Sequence, residues 1–137
     1  MNTFFATFLT FSLSIAANAT DYSNSAGCTA EVDQRANGVQ IYLHARNGQQ
    51  AFLGFLNNLS SGDIQAFCSP ARVHAQGQTI TLECEKSNSG SNYQTRGYAV
   101  IEFQKDMKTL KSVKVKGEVQ QLFGWKVDTN ITCENLR

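Results

Sequence analysis

The first nineteen residues contain no lysine, arginine, aspartate or glutamate, and the whole chain of 137 holds one proline, one tryptophan and two histidines. Charged residues make up only 17%, with a net charge of +1. So small a net charge removes any global attraction to nucleic acid or to a membrane surface. A hydrophobic share of 42% excludes wholesale disorder, because such a chain buries enough apolar surface to offset the entropy of ordering. One proline and ten glycines exclude a proline-rich linker and a collagenous repeat. No HExxH, GxSxG, Walker A or GxGxxG motif occurs after the first segment, so no catalytic signature is legible. No stretch of helical length carries a 3.6-residue apolar period.

The uncharged start reads MNTFFATFLTFSLSIAANA, Met1 to Ala19. Its apolar run from Phe4 to Ala17 is broken only by Thr and Ser and closes on Ala17-Asn18-Ala19, a small-x-small cleavage site. The run is too short to span a bilayer comfortably. Residues 1–19 are therefore expected to be an export signal, cleaved before Thr20, leaving residues 20–137 as a single β domain, secreted or periplasmic. All four cysteines, Cys28, Cys68, Cys84 and Cys133, follow that site. An even count in a small exported domain predicts two disulfides. With no CxxC pair, and with His44 and His74 not spaced with the cysteines, no metal or other cofactor is expected.

The rest reads as strands. Apolar and polar residues alternate with period 2 at Val39/Ile41/Leu43/Ala45, Ile80/Leu82/Cys84, Val113/Val115/Gly117/Val119 and Phe123/Trp125/Val127/Thr129/Ile131/Cys133. Asn37-Gly38, Asn47-Gly48 and Gly77-Gln78 are two-residue hairpin signals. The expected fold is an all-β, hairpin-rich, antiparallel barrel or sandwich of about eight strands. They cover residues 28–36, 39–46, 49–57, 64–68, 71–76, 79–86, 93–104 and 112–134, the last split near Gln120-Gln121. At most one helical turn is expected, over Asp106 to Lys111, and Lys86 to Asn92 is the loop expected to be most flexible.

The turns set register. Asn37-Gly38 as a turn faces Val32 to Leu43, Glu31 to His44 and Asp33 to Tyr42. Gly77-Gln78 faces Val73 to Leu82 and Ala71 to Cys84, bringing Cys68 within reach of Cys84. Cys28 and Cys133 then share the inward parity of the first and last strands, which pairs Cys28 with Cys133 and Cys68 with Cys84.

Two surface features remain. Ala51 to Leu56 (AFLGFL) is apolar on both faces. With Asn47-Gly48 as a two-residue turn, Leu53 falls opposite Tyr42, and Phe55 opposite Gln40, on the outside. Tyr42, Leu53 and Phe55 then form an exposed apolar patch. Lys105, Lys108, Lys111, Lys114 and Lys116 lie within twelve residues, opposed locally only by Asp106. Residues 105–137 carry net +3 and residues 20–104 net −2, so one side is basic. These lysines have no aromatic interleaving, which argues against nucleic acid.

The function expected is that of an exported, non-enzymatic binding or inhibitor module. Tyr42, Leu53 and Phe55 would contact an unidentified protein or cell-envelope partner, with Lys114 and Lys116 steering. A monomer without stable membrane insertion is expected. Two alternatives stay open: a lipocalin-like carrier with Tyr93, Ile101, Phe103, Phe123 and Trp125 lining its interior, and a small hydrolase using His44 oriented by Glu31.

Overall fold

The computed structural model describes residues 18–87 and 94–137, and every regular element among them is a strand. The strands are β1 (Asn18–Ser23), β2 (Thr29–Arg35), β3 (Gly38–His44), β4 (Gln50–Leu56), β5 (Gly62–Ile64), β6 (Cys68–Gln76), β7 (Thr79–Ser87), β8 (Gln94–Phe103), β9 (Leu110–Gln121) and β10 (Gly124–Cys133). Each pairs antiparallel with the next, so sheet order follows chain order in one meander. The fold is the expected all-β one, with ten strands where about eight were expected. The addition is β1, and the expected split of the last long segment falls at Leu122-Phe123 rather than at Gln120-Gln121. The export-signal reading lies outside the described residues up to residue 17. Asn18 and Ala19 already belong to β1, opposite Gln34 and Asp33. Residues 88–92 of the loop expected to be flexible also lie outside the described residues.

The sheet curls, and one face of it lines a single core that includes Val32, Ile41, Leu43, Leu53, Leu82, Ile101, Val113 and Ile131. Its ends are tied together. Cys28, just before β2, is bonded to Cys133 at the end of β10, with Cα atoms 5.7 Å apart. Ser23 and Arg137 exchange backbone N–H···O bonds of 3.0 Å, and the Asn24 side-chain amide donates to the Glu134 carbonyl at 2.9 Å. The second disulfide joins Cys68 and Cys84 on β6 and β7, Cα atoms 5.6 Å apart. Two disulfides suit an oxidising compartment.

Three local details differ from expectation, each for a stated reason. Between β2 and β3 the turn residues are Ala36-Asn37, so Arg35 faces Gly38 and Val32 faces Ile41 rather than Leu43. The slip is two in register, an even number, so every side chain keeps its expected face. Between β3 and β4 the loop has three residues. The Gly48 N–H donates to the Ala45 carbonyl at 3.0 Å, the Ala45 N–H donates to the Gln49 carbonyl at 2.8 Å, and Gly48 has φ +84°. That is a type I turn closed by a left-handed glycine, which adds one residue relative to the expected tight turn. At Asp106 to Lys111 there is no helix. The Asp106 carboxylate accepts the N–H groups of Lys108 at 2.9 Å and Thr109 at 2.8 Å, and the Thr109 hydroxyl, closing a turn instead. The Thr109 hydroxyl, then the two amides, bring the Asp106 carboxyl down to about 2 from an ordinary 3.8. The charged form is favoured by folding, so its support for the turn is complete above the ordinary value and is lost as pH falls through about 2.

Gly97 and Gly117 face each other on the inward side of β8 and β9. A Cβ on Gly117 would overlap the Phe67 ring, while one on Gly97 would meet the sulfurs of the Cys68–Cys84 disulfide. Gly117→Ala is expected to cost about 1–3 kcal/mol through overpacking. The cost should largely vanish in a Phe67→Ala background, a coupling that urea unfolding of the four variants of a double-mutant cycle reads directly. Equal costs in both backgrounds would show that Phe67 is not the obstacle.

Candidate functional site

The one-residue difference at the β3–β4 turn decides the apolar patch. Tyr42 faces Phe52, Ile41 faces Leu53, and Val39 faces Phe55. Shifting an antiparallel register by one residue exchanges the two faces of a strand. Leu53 is therefore 0% exposed and Phe55 5%, both in the core, which corrects the expectation that they are outside. Tyr42 stays outside, 40% exposed, with its ring centroid 4.6 Å from that of Phe52.

The lysines are ion-paired, two of them with carboxylates that the fold brings from elsewhere in the chain and one with a carboxylate two residues along its own strand. Lys111 Nζ lies 2.8 Å from Glu102, Lys114 Nζ 3.0 Å from Glu134 and Lys116 Nζ 2.9 Å from Glu118. Lys116 first, and Arg96 with it, hold the Glu118 carboxyl below the usual range; Lys111 does the same for Glu102. Lys105 and Lys108 sit in the β8–β9 turn, at the opposite end of β9 from its junction with β10.

The alternation expected along β10 holds only for its second half. Ile131 and Cys133 face the core opposite Val115 and Val113. The register against β9 then shifts between Val127 and Thr129, with Asp128 as the extra residue of a bulge. A bulge changes which face the following residues occupy. Beyond it Val127 pairs with Glu118 and Trp125 with Gln120, on the outer face. Phe123 and Trp125 consequently face solvent and do not line an interior, while Ile101 and Phe103 are buried in the core. Tyr93 lies outside the described residues.

What emerges is an apolar hairpin end. The β8–β9 ladder stops at Thr95–Val119, whereas β9 and β10 continue to the turn at Leu122-Phe123. Leu122 is 96% exposed and Phe123 103%. Trp125 at 37% and Val127 at 45% follow on the outer face. The Arg96 guanidinium stacks on Trp125, 4.1 Å from the ring centroid, while its Nε bonds Glu118. The hairpin is thus held from one side by charged groups, and among the described residues its tip packs against nothing. Two hints of this were present in the sequence: an apolar pair bounded by Gln121 and Gly124, and a lone acidic residue, Asp128, within a β-prone run.

The remaining candidates are dispersed. His44 is exposed and faces Thr29 and Gln50, while Glu31 faces Tyr42, so the expected His44–Glu31 pairing is not formed. Gly54, between Gln40 and Asp63, leaves an open groove of about 400 Å³ also bounded by Arg35, Phe55, Leu56 and Pro70. Among the described residues no cluster of three or more His, Cys, Asp or Glu side chains is arranged to hold a metal. Comparison of the chain with protein-family models, with curated proteins and with solved structures finds no match.

Proposed function

We propose that this chain is an exported, non-enzymatic binding module, secreted or periplasmic, that docks on a protein or cell-envelope partner through the end of the β9–β10 hairpin. The observation that carries this reading is the full exposure of Leu122 and Phe123 on a scaffold tied by two disulfides. Large apolar side chains left in water on a rigid projection favour any contact that covers them. Burying both supplies about 3–5 kcal/mol before association costs. The rigid sheet keeps the entropic cost of that contact low.

A photo-crosslinking side chain at position 123 tests this in cells that export the protein. A discrete adduct, with a protein or with a lipid, is expected from position 123 and none from position 74, which lies on the outer face of β6. Leu122→Asp should remove the adduct while changing stability by less than about 0.5 kcal/mol, as expected for an exposed side chain. Equal labelling from both positions, or none from either, would sink the proposal.

A further inference from the structure

We infer that the surface on which the hairpin docks is a lipid bilayer carrying anionic headgroups. The inference rests on the reading of the hairpin end as the contact site and names its partner. The argument is the order of side chains along the hairpin. Leu122 and Phe123 stand at the tip. Behind them come only uncharged groups, Gln120, Gln121 and Gly124, and then Trp125. The first charges met are both cationic: Lys126 on β10, and Arg96, stacked on Trp125. Of the nearest carboxylates, Glu118 shares the row of Arg96 and is held by Arg96 and Lys116, and Asp128 lies two residues behind Lys126.

At about 3.4 Å per strand residue, Trp125 lies about 7 Å behind the tip. Interfacial segments bury their apolar groups about 5–10 Å deep, with tryptophan at headgroup level and cations outside it. The hairpin matches that layering in depth, sequence of chemistry and sign of charge. The two tip side chains, Leu122 and Phe123, themselves carry no polar group for a protein pocket to read. Insertion is shallow by construction, because among the described residues β10 from Gly124 to Val127 has a strand partner on one edge only. Backbone groups on its other edge need water, so the hairpin stops at the interface.

Trp125 is the only tryptophan of the chain, so its emission reports on this site alone. The oxidised exported protein, its N-terminus verified by mass spectrometry, is titrated with phosphatidylglycerol-containing vesicles and with pure phosphatidylcholine vesicles. A blue shift with reduced acrylamide quenching is expected on the anionic vesicles and much less on the neutral ones. Lys126→Gln should weaken partitioning by about fivefold, the contribution of one basic residue near such a surface. Salt at about 0.5 M should weaken it further by screening. Leu122→Asp with Phe123→Asp should abolish the shift and vesicle co-sedimentation with an unchanged circular dichroism spectrum. No shift on either vesicle overturns the inference, as does a shift that survives the double substitution. A concentration-dependent shift without lipid, the mark of tip-to-tip self-association, overturns it too. A protein adduct from position 123 without vesicle binding removes the bilayer and leaves the hairpin as the contact site.

Discussion

Leu53→Asp is expected to unfold the domain, and Phe55→Asp to do the same. Leu53 occupies the middle of β4 between Ile41 of β3 and Ile64 of β5, and all three are completely buried. Removing the leucine side chain alone costs about 2–5 kcal/mol through lost transfer energy and the cavity left behind. Placing a carboxyl in the same space adds the cost of desolvating it, whether the group stays charged or protonates. The total exceeds about 4 kcal/mol, against about 5–15 kcal/mol for the stability of a domain of this kind. Circular dichroism and urea unfolding read the outcome. The contrast with Leu122→Asp, an identical chemical change in an exposed turn, separates core from contact surface. A folded, undiminished Leu53→Asp variant would mean that the β3–β4 turn has two residues and that β4 is inverted.

Replacing Cys28 and Cys133 together by alanine is expected to lower stability by about 4–5 kcal/mol, the entropy of closing so long a loop in the unfolded chain. The bond spans 105 residues, whereas Cys68–Cys84 spans 16, for which the corresponding loss is about 3 kcal/mol. The long bond also does something local. β1 and β10 stand at the two ends of the sheet order, and the bond and the Ser23–Arg137 pair are what draw these ends together. Hydrogen exchange should therefore rise first in β1 and β10, while β6 to β8 keep their protection. A stability loss no larger than that of the Cys68→Ala Cys84→Ala pair, with exchange raised uniformly, would show that the bond does not hold the sheet ends.

The strand class was readable because period-2 alternation is a property of the local sequence, and the β6–β7 hairpin shows how far that goes. Gly77-Gln78 is the turn, with Gly77 at φ +59°, and Ala71 faces Cys84 as the two-residue loop requires. In the β2–β3 hairpin an error in the turn position left the faces intact, because burial of Ala30, Val32, Ile41 and Leu43 demands one parity and tolerates an even slip.

The candidate site was decided at two odd slips. One extra residue at Ala45 to Gln49 turned Leu53 and Phe55 inward, and one extra residue at Asp128 turned Trp125 and Val127 outward. A single residue in a loop or bulge costs little locally yet inverts every side chain beyond it, so local propensity does not resolve it; the packing of the whole core does. The same holds for charge. Lys111 and Lys114 belong to a basic cluster along the chain, and only the tertiary fold places Glu102 and Glu134 beside them, whereas Glu118 stands two residues from Lys116 on the same strand. Composition and alternation by themselves determined a small, all-β, disulfide-capable domain. The tertiary structure alone decided which of its hydrophobic residues are core and which, at Leu122 and Phe123, are left to meet something else, because burial is a property of register and register is settled by contacts far apart in sequence.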